Sequence, residues 1–371
     1  MSTIACFEQI ADCPPAALQL VSSPSVPSQR DGDSVKPNYD NFLSPTFLVP
    51  ELGRITLLHK RLVQLPGDSQ PRLRRTMAIE LGSVVHCARV TEPAANRDSV
   101  TESLDSIIML PGCLEMIDAG TGKNLHDALA PHFPNKRIIS IATDGVGRYC
   151  QKIGWRQGLT KNFQSMATDR HRLINILKGD GTIDLVDVSM GSMISLELLA
   201  FNTTLPQEAV ATSQQDRWLD ISAVVHYSSA HVTPGRVVPD IGLRFGPHIY
   251  YDSLKMLGVL GSLPTGHVAM LKALPRSLPA IVGNGMHILK GVDPKKKAAA
   301  ARDYHTGYCT GQNDPLGQLE QTRQLAELYP GTVTLQIKPN TGHAACMDAK
   351  AAATDIANML ESVRRKQPAT A

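Results

Sequence analysis

A chain of 371 residues with 42% hydrophobic and 19% charged side chains has the composition of a soluble globular protein. It is long enough for one large α/β domain with an insertion, or for two ordinary domains. The 37 Lys and Arg against 34 Asp and Glu leave a net charge of +3, with the signs interspersed, which argues against a nucleic-acid groove and against an anionic membrane partner.

The seven cysteines, at positions 6, 13, 87, 113, 150, 309 and 346, are odd in number and scattered. They form no Cys-x-x-Cys pair and no His/Cys cluster at metal spacing, so no metal and no cofactor is expected and a reducing compartment is the simplest reading. Residues 1–17 hold Glu8, Asp12 and two prolines where a secretory signal needs a basic start and an unbroken apolar stretch. No window approaches the roughly 18 apolar residues of a bilayer span. A cytoplasmic protein is therefore expected, in which the sequon Asn202-Thr203-Thr204 is idle.

Residues 1–50 are rich in Ser, Pro, Asp and Asn and read as an arm that is unordered or loosely wrapped. Beyond Gly53, short apolar runs alternate with helix-length segments. Eight strands are expected, over residues 55–63, 76–85, 106–110, 137–142, 183–188, 221–225, 307–310 and 332–337. The first two suit an antiparallel hairpin or meander; the helix-length gaps between the others imply a mostly parallel sheet with helices on both faces. The interval 229–304 is far longer than a crossover helix needs, and reads as a helical cap inserted between the sixth and seventh strands, with core segments 51–228 and 305–366 around it. Lys295-Lys296-Lys297 after Pro294 reads as the solvated first turn of an alanine-rich helix.

The fifth strand runs into Leu185-Val186-Asp187-Val188-Ser189-Met190-Gly191-Ser192-Met193. A serine between a β-branched strand and a small-residue helix has the form of a nucleophile elbow, where a sharp turn exposes Oγ and the next N–H faces an oxyanion. Such a serine needs a base within hydrogen-bond reach and an acid to orient that base. His343, on the loop between the last strand and an amphipathic helix over residues 348–363, is the candidate base. Asp314, in Gly311-Gln312-Asn313-Asp314-Pro315-Leu316 after the penultimate strand, is the candidate acid. The oxyanion donors would be the N–H groups of Met190 and of Cys113, the latter in Met109-Leu110-Pro111-Gly112-Cys113-Leu114 after the third strand. Cys113 itself is read as a small buried side chain, not a reactive thiol.

With these segments in this order, the chain from about Gly53 to Val363 resembles the α/β-hydrolase fold serine hydrolases. Arg137 to Gly147 is similar to that family's fourth strand and its Asp- and Gly-containing loop, and Ser, Asp and His follow in the family's order. The resemblance implies hydrolysis of an ester or thioester through an acyl-enzyme. The cap residues Ile249, Tyr250, Tyr251, Leu254, Met256, Leu257, Val259 and Leu260 leave open whether they line an apolar acyl pocket or pack against the sheet. The same residues would serve an acyltransferase, and a non-catalytic binding protein of this fold is the alternative from another class. Three positions depart from the family pattern: Pro111-Gly112 stands for His-Gly, Ser192 for a glycine, and Asp187 for the first elbow glycine. A carboxylate at 187 packs toward solvent or a local partner, or raises the pKa of the catalytic histidine.

Other patterns carry less. Ala119-Gly120-Thr121-Gly122-Lys123-Asn124 lacks the spacing of a phosphate loop and is expected to be a flexible loop beside the oxyanion segment. Asp144-Gly145-Val146-Gly147 lacks the third glycine of a dinucleotide fingerprint. His226 and His231 have no third metal ligand and are placed at the sheet end and cap hinge.

Overall fold

The computed structural model describes residues 46–49, 53–81, 84–94, 104–113, 115–118, 120–147, 149–178, 181–205, 217–231, 267–314, 316–317, 319–343 and 348–366. Ten strands form one sheet: β1 Thr46–Val49, β2 Gly53–Val63, β3 Arg72–Leu81, β4 Val84–Pro93, β5 Ser106–Leu110, β6 Arg137–Ile141, β7 Ile183–Val188, β8 Ile221–Tyr227, β9 Thr306–Gly311 and β10 Val333–Lys338. Their order is β1-β2-β3-β4-β6-β5-β7-β8-β9-β10. β1 to β4 form an antiparallel meander joined antiparallel to β6, and from β6 to β10 every pairing is parallel.

The mostly parallel α/β architecture is as expected, with two strands more than the expected eight. The segment 76–85 is not one strand: β3 ends at Leu81 and β4 begins at Val84, with Gly82-Ser83 between them in sequence. An apolar alternation that continues across a Gly-Ser pair hides the turn. The other addition, β1, comes from the last residues of the amino-terminal arm, where Thr46-Phe47-Leu48-Val49 is β-branched and aromatic enough to pair with β2. Residues 1–45 of that arm lie outside the described residues.

Among the described residues eight α-helices accompany the sheet: α1 Gly120–Leu129, α2 Trp155–Thr160, α3 Phe163–Leu177, α4 Gly191–Asn202, α5 His267–Lys290, α6 Pro294–Asp303, α7 Leu319–Leu328 and α8 Ala349–Arg364. The period-2 alternation of the central strands sorts their side chains to two faces. Ile108, Leu110, Ile139, Ile141 and Leu185 pack with Leu173 and Ile174 of α3 and Leu196 and Leu199 of α4. Ile107, Met109, Ile138, Val186 and Val188 pack on the other face with Leu125 of α1 and Ile356, Leu360 and Val363 of α8. Every side chain of β5 and β7 is buried, and each such aliphatic group contributes about 1.5–3 kcal/mol. This double cover makes β7 a rigid platform for its carboxyl end.

Within the expected cap, residues 232–266 lie outside the described residues, and with them the apolar set from Ile249 to Leu260. The described part of the interval after them begins with α5, which runs from His267 to Lys290. α6 begins at Pro294, capped by Asp293 Oδ1 accepting from Lys295 N at 2.9 Å. It docks on α4 through Lys296 Nζ and Glu197, 2.7 and 2.6 Å. The lysine run is only partly solvated: Lys295 is exposed, but Lys297 lies one turn from Asp293 on the inward face and is 4% exposed. Burial lowers its pKa to about 8. The sequon asparagine, Asn202, is buried with its amide donating to Leu219 O at 3.0 Å.

Candidate active site

β7 ends at Val188 in the middle of the sheet, between β5 and β8, and the chain turns at once into α4. Ser189 makes that turn with φ +51°, one of three non-glycine residues with positive φ among those described. An L-residue in this region costs of order 1–2 kcal/mol, and the strain is held by bonds on both sides of the turn. Ser189 N donates to Tyr227 O at 3.1 Å. Its carbonyl accepts from Ser192 Oγ at 2.6 Å and Ala230 N at 3.1 Å, and Ser192 Oγ itself accepts from Ala230 N at 3.1 Å. Ser192, a departure from the family's glycine, thus ties the elbow to the end of β8.

Gly191 shows why the turn demands a small residue. A Cβ there would lie 2.1 Å from the Leu110 carbonyl oxygen and 3.1 Å from that of Pro111. α4 therefore starts in backbone contact with the loop after β5.

The three residues singled out for catalysis converge. Asp314, its side chain fully buried, follows β9, and its Oδ1 accepts from Leu316 N at 2.9 Å and Gly317 N at 3.0 Å. Those bonds fix the carboxylate toward His343, whose Nδ1 stands 2.9 Å from Oδ1 and 3.1 Å from Oδ2. A carboxylate can only accept, so Nδ1 carries the proton and Nε2 presents its lone pair. Ser189 Oγ lies 2.7 Å from that Nε2.

The loop after β5 lies against the serine: a Cβ on Gly112 would be 3.2 Å from Ser189 Cβ. Its turn is closed reciprocally, with Gly112 N donating to Glu115 Oε2 at 2.7 Å and Glu115 N to Gly112 O at 3.2 Å. The Gly112 amide is thereby spent inside the loop. The amides of Cys113 and Met190 have no acceptor among the described residues. Desolvation of the sulfur pushes the Cys113 thiol up to about 12, which keeps it protonated at neutral pH; the residue is half-buried, less enclosed than the buried side chain expected.

Asp187 has a local partner. Its side chain and that of His226 are both fully buried, Asp187 Oδ2 sits 2.7 Å from His226 Nδ1, and the two residues face each other in the β7–β8 register. His226 lies tilted over Tyr308 at 4.8 Å and meets His231 edge-on at 5.0 Å. The partner of Asp187 was hidden in the sequence because a 39-residue separation gives no hint of register; only the strand pairing aligns 187 with 226. Glu115 was missed as well, since its role appears only with the loop closed. Among the described residues no group of three metal-ligating side chains occurs.

The Asp144 loop serves as an anchor. Asp144 Oδ1 accepts from Arg170 NH2 at 2.8 Å and contacts His86 Nδ1 at 2.7 Å, and Oδ2 pairs with Lys161. Burial opposes its ionisation, but Arg170, His86 and Lys161 prevail and hold the carboxyl well below the ordinary range. The same loop carries α5: Gly147 N donates to Ser277 Oγ at 3.4 Å, and Arg276 NH2 donates to Cys150 O at 2.8 Å. α5 in turn lies on α2, where a Cβ on Gly283 would fall 1.9 Å from Gly158 O. It also reaches the loop after β5, with Cys113 Sγ 3.7 Å from Ile281 O. Of the segment 119–124, expected as a flexible loop, residues 120–124 are instead the start of α1, with Gly120, Thr121 and Gly122 buried. A Cβ on Gly122 would meet Met116 O at 2.8 Å, so its glycines serve helix packing, while Lys123 pairs with Asp127 at 2.8 Å.

No protein-family model matches the sequence, and no curated protein matches it. Solved structures share the fold. A carboxylesterase from the ammonia-oxidizing thaumarchaeon Nitrososphaera gargenis aligns at a TM-score of 0.52 and 13% identity, over 78% of this chain and 100% of its own. The epoxide hydrolase CorEH aligns at 0.51 and 12%, over 78% and 100%. The serine hydrolase CCSP0084 of the polyaromatic hydrocarbon-degrading bacterium Cycloclasticus zankles gives 0.51 and 13%, over 78% and 98%. At such identity the likeness establishes architecture and leaves the chemistry to the site.

Proposed function

The chain has the α/β-hydrolase fold, and on that premise we propose that it is a serine hydrolase that cleaves a carboxylic ester or thioester through an acyl-enzyme. The observation that carries this reading is the continuous path from Asp314 through His343 to Ser189, with contacts of 2.9 and 2.7 Å. His343 Nε2 takes the hydroxyl proton as Ser189 Oγ attacks the carbonyl, and Asp314 stabilises the imidazolium that forms. The tetrahedral oxyanion is received by the N–H groups of Cys113 and Met190, which have no acceptor among the described residues and are supported by the Gly112–Glu115 turn and the Gly191 contact. Collapse expels the alcohol or thiol with the proton from His343. Water, deprotonated by the same imidazole, then releases the acid.

Residues 229–304, α5 among them, are proposed to form the cap, and a small apolar acyl compound is the proposed substrate class. The fold neighbours named as a carboxylesterase and a serine hydrolase support a hydrolytic role. The test is hydrolysis of a model aryl ester. Wild type is expected to turn it over, with Ser189→Ala and His343→Ala slower by about three orders of magnitude or more. Equal rates in wild type and Ser189→Ala would overturn the reading.

A further inference from the structure

The eight large hydrophobic side chains exposed among the described residues are unevenly placed. Six of them, Trp155, Leu159, Leu278, Val282, Met286 and Leu289, at 38–52% exposure, sit on α2 and α5. The spacing 278, 282, 286, 289 keeps four on one side of α5, as 155 and 159 share one side of α2. Both rows border the seam where Gly158 and Gly283 bring the helices into backbone contact. Side chains of this size expose several hundred Å² together, the extent at which an apolar surface marks an interaction site.

The charge on these helices is equally one-sided. By sequence α2 and α5 contain Arg156, Lys272, Arg276 and Lys290 and neither Asp nor Glu; Arg156 and Lys290 are exposed, while Arg276 turns NH2 to Cys150 O at 2.8 Å. The near-zero net charge that argued against an anionic partner is an average that conceals this local excess. We propose that the α2–α5 face docks on an anionic lipid surface. An apolar stripe carrying a tryptophan suits the headgroup–acyl boundary, and basic side chains beside it suit anionic headgroups. A second copy of the chain fits less well, because a two-fold pairing of this face sets its cations against like charges.

Docking would place the entrance to the site at the lipid boundary, since α5 touches the oxyanion loop at Cys113. The consequence for turnover rests on the serine-hydrolase reading; the docking itself does not. The test therefore uses full-length Ser189→Ala protein, co-sedimented with vesicles of phosphatidylglycerol and phosphatidylcholine in equal parts and with phosphatidylcholine alone. Binding is expected to the acidic vesicles, weaker by about tenfold or more to the neutral ones and in high salt. Adding Leu278→Glu and Met286→Glu together should remove it at an unchanged melting temperature. Leu328→Glu, at an exposed leucine on α7, should bind as the parent does. The proposal is overturned by a parent that stays in solution with both vesicle types, by binding indifferent to the paired α5 substitutions, by a solution dimer that those substitutions dissociate, or by cross-links placing residues 1–45 on α5.

Discussion

Gly191→Ala tests the mechanical link between the elbow and the oxyanion loop. The added methyl would stand 2.1 Å from the Leu110 oxygen and 2.8 Å from its carbonyl carbon, against about 3.3 Å for an ordinary close C···O contact. Both opposing atoms are backbone, and Leu110 is fixed by its β5–β7 pairing with Asp187, so no rotamer change relieves the overlap. The start of α4 or the 110–113 loop must move by about 1 Å. Strain of this kind costs about 1–3 kcal/mol of stability, and a 1 Å displacement of catalytic groups costs about 100-fold in rate. Urea unfolding and kcat/KM on the aryl ester measure the two effects. Gly154→Ala, where a Cβ meets nothing within 4 Å, is the matched control and should keep its activity. A folded Gly191→Ala protein with parental kcat/KM would refute the argument that this contact sets the donor geometry.

Further expectations concern the groups around the site. Asp187→Ala leaves the fully buried His226 Nδ1 without its acceptor and should cost about 1–3 kcal/mol in urea unfolding; Asp187→Asn keeps an acceptor and should cost less. If the two single alanine variants at 187 and 226 prove additive in a double-mutant cycle, the pair is not coupled. Cys113→Ala should retain most of the esterase activity, since the backbone N–H is kept and a thiol at about 12 takes no part; loss beyond about tenfold would contradict the assignment. His126 is kept below its ordinary 6.5 by burial, aided by Arg89 and Arg74. The unfolded chain therefore binds a proton there that the native state does not. Stability should be full above about pH 6.5 and fall below it by up to about 1.4 kcal/mol per pH unit. Urea midpoints across that range should show the slope, reduced in His126→Gln; a flat profile in the parent would contradict it.

Much of this was legible because the informative features are local. The strands 106–110 and 183–188 were bounded by their apolar runs, and the helix ahead of Arg364 was announced by Asp348, whose Oδ1 caps Ala351 N at 3.0 Å. Ser189, Asp314 and His343 could be singled out because each sits on a loop at the carboxyl end of a strand, a position the alternation of elements marks. What stayed hidden depends on pairing. The β3–β4 turn interrupts no apolar pattern, the partner of Asp187 follows from register alone, and Lys297 is buried because α6 lies on α4, which its own polar neighbours do not reveal. The segment 119–124 misled for a related reason: its glycines look like loop residues but are required where α1 passes Met116 O.

The central claim is that Ser189 is the nucleophile, and labelling with a fluorophosphonate followed by mass identification of the modified peptide tests it most directly. A single adduct on Ser189 is predicted, absent in Ser189→Ala and slowed by about three orders of magnitude in His343→Ala. A folded wild-type protein that takes up no label, or takes it up at another residue, would contradict the account.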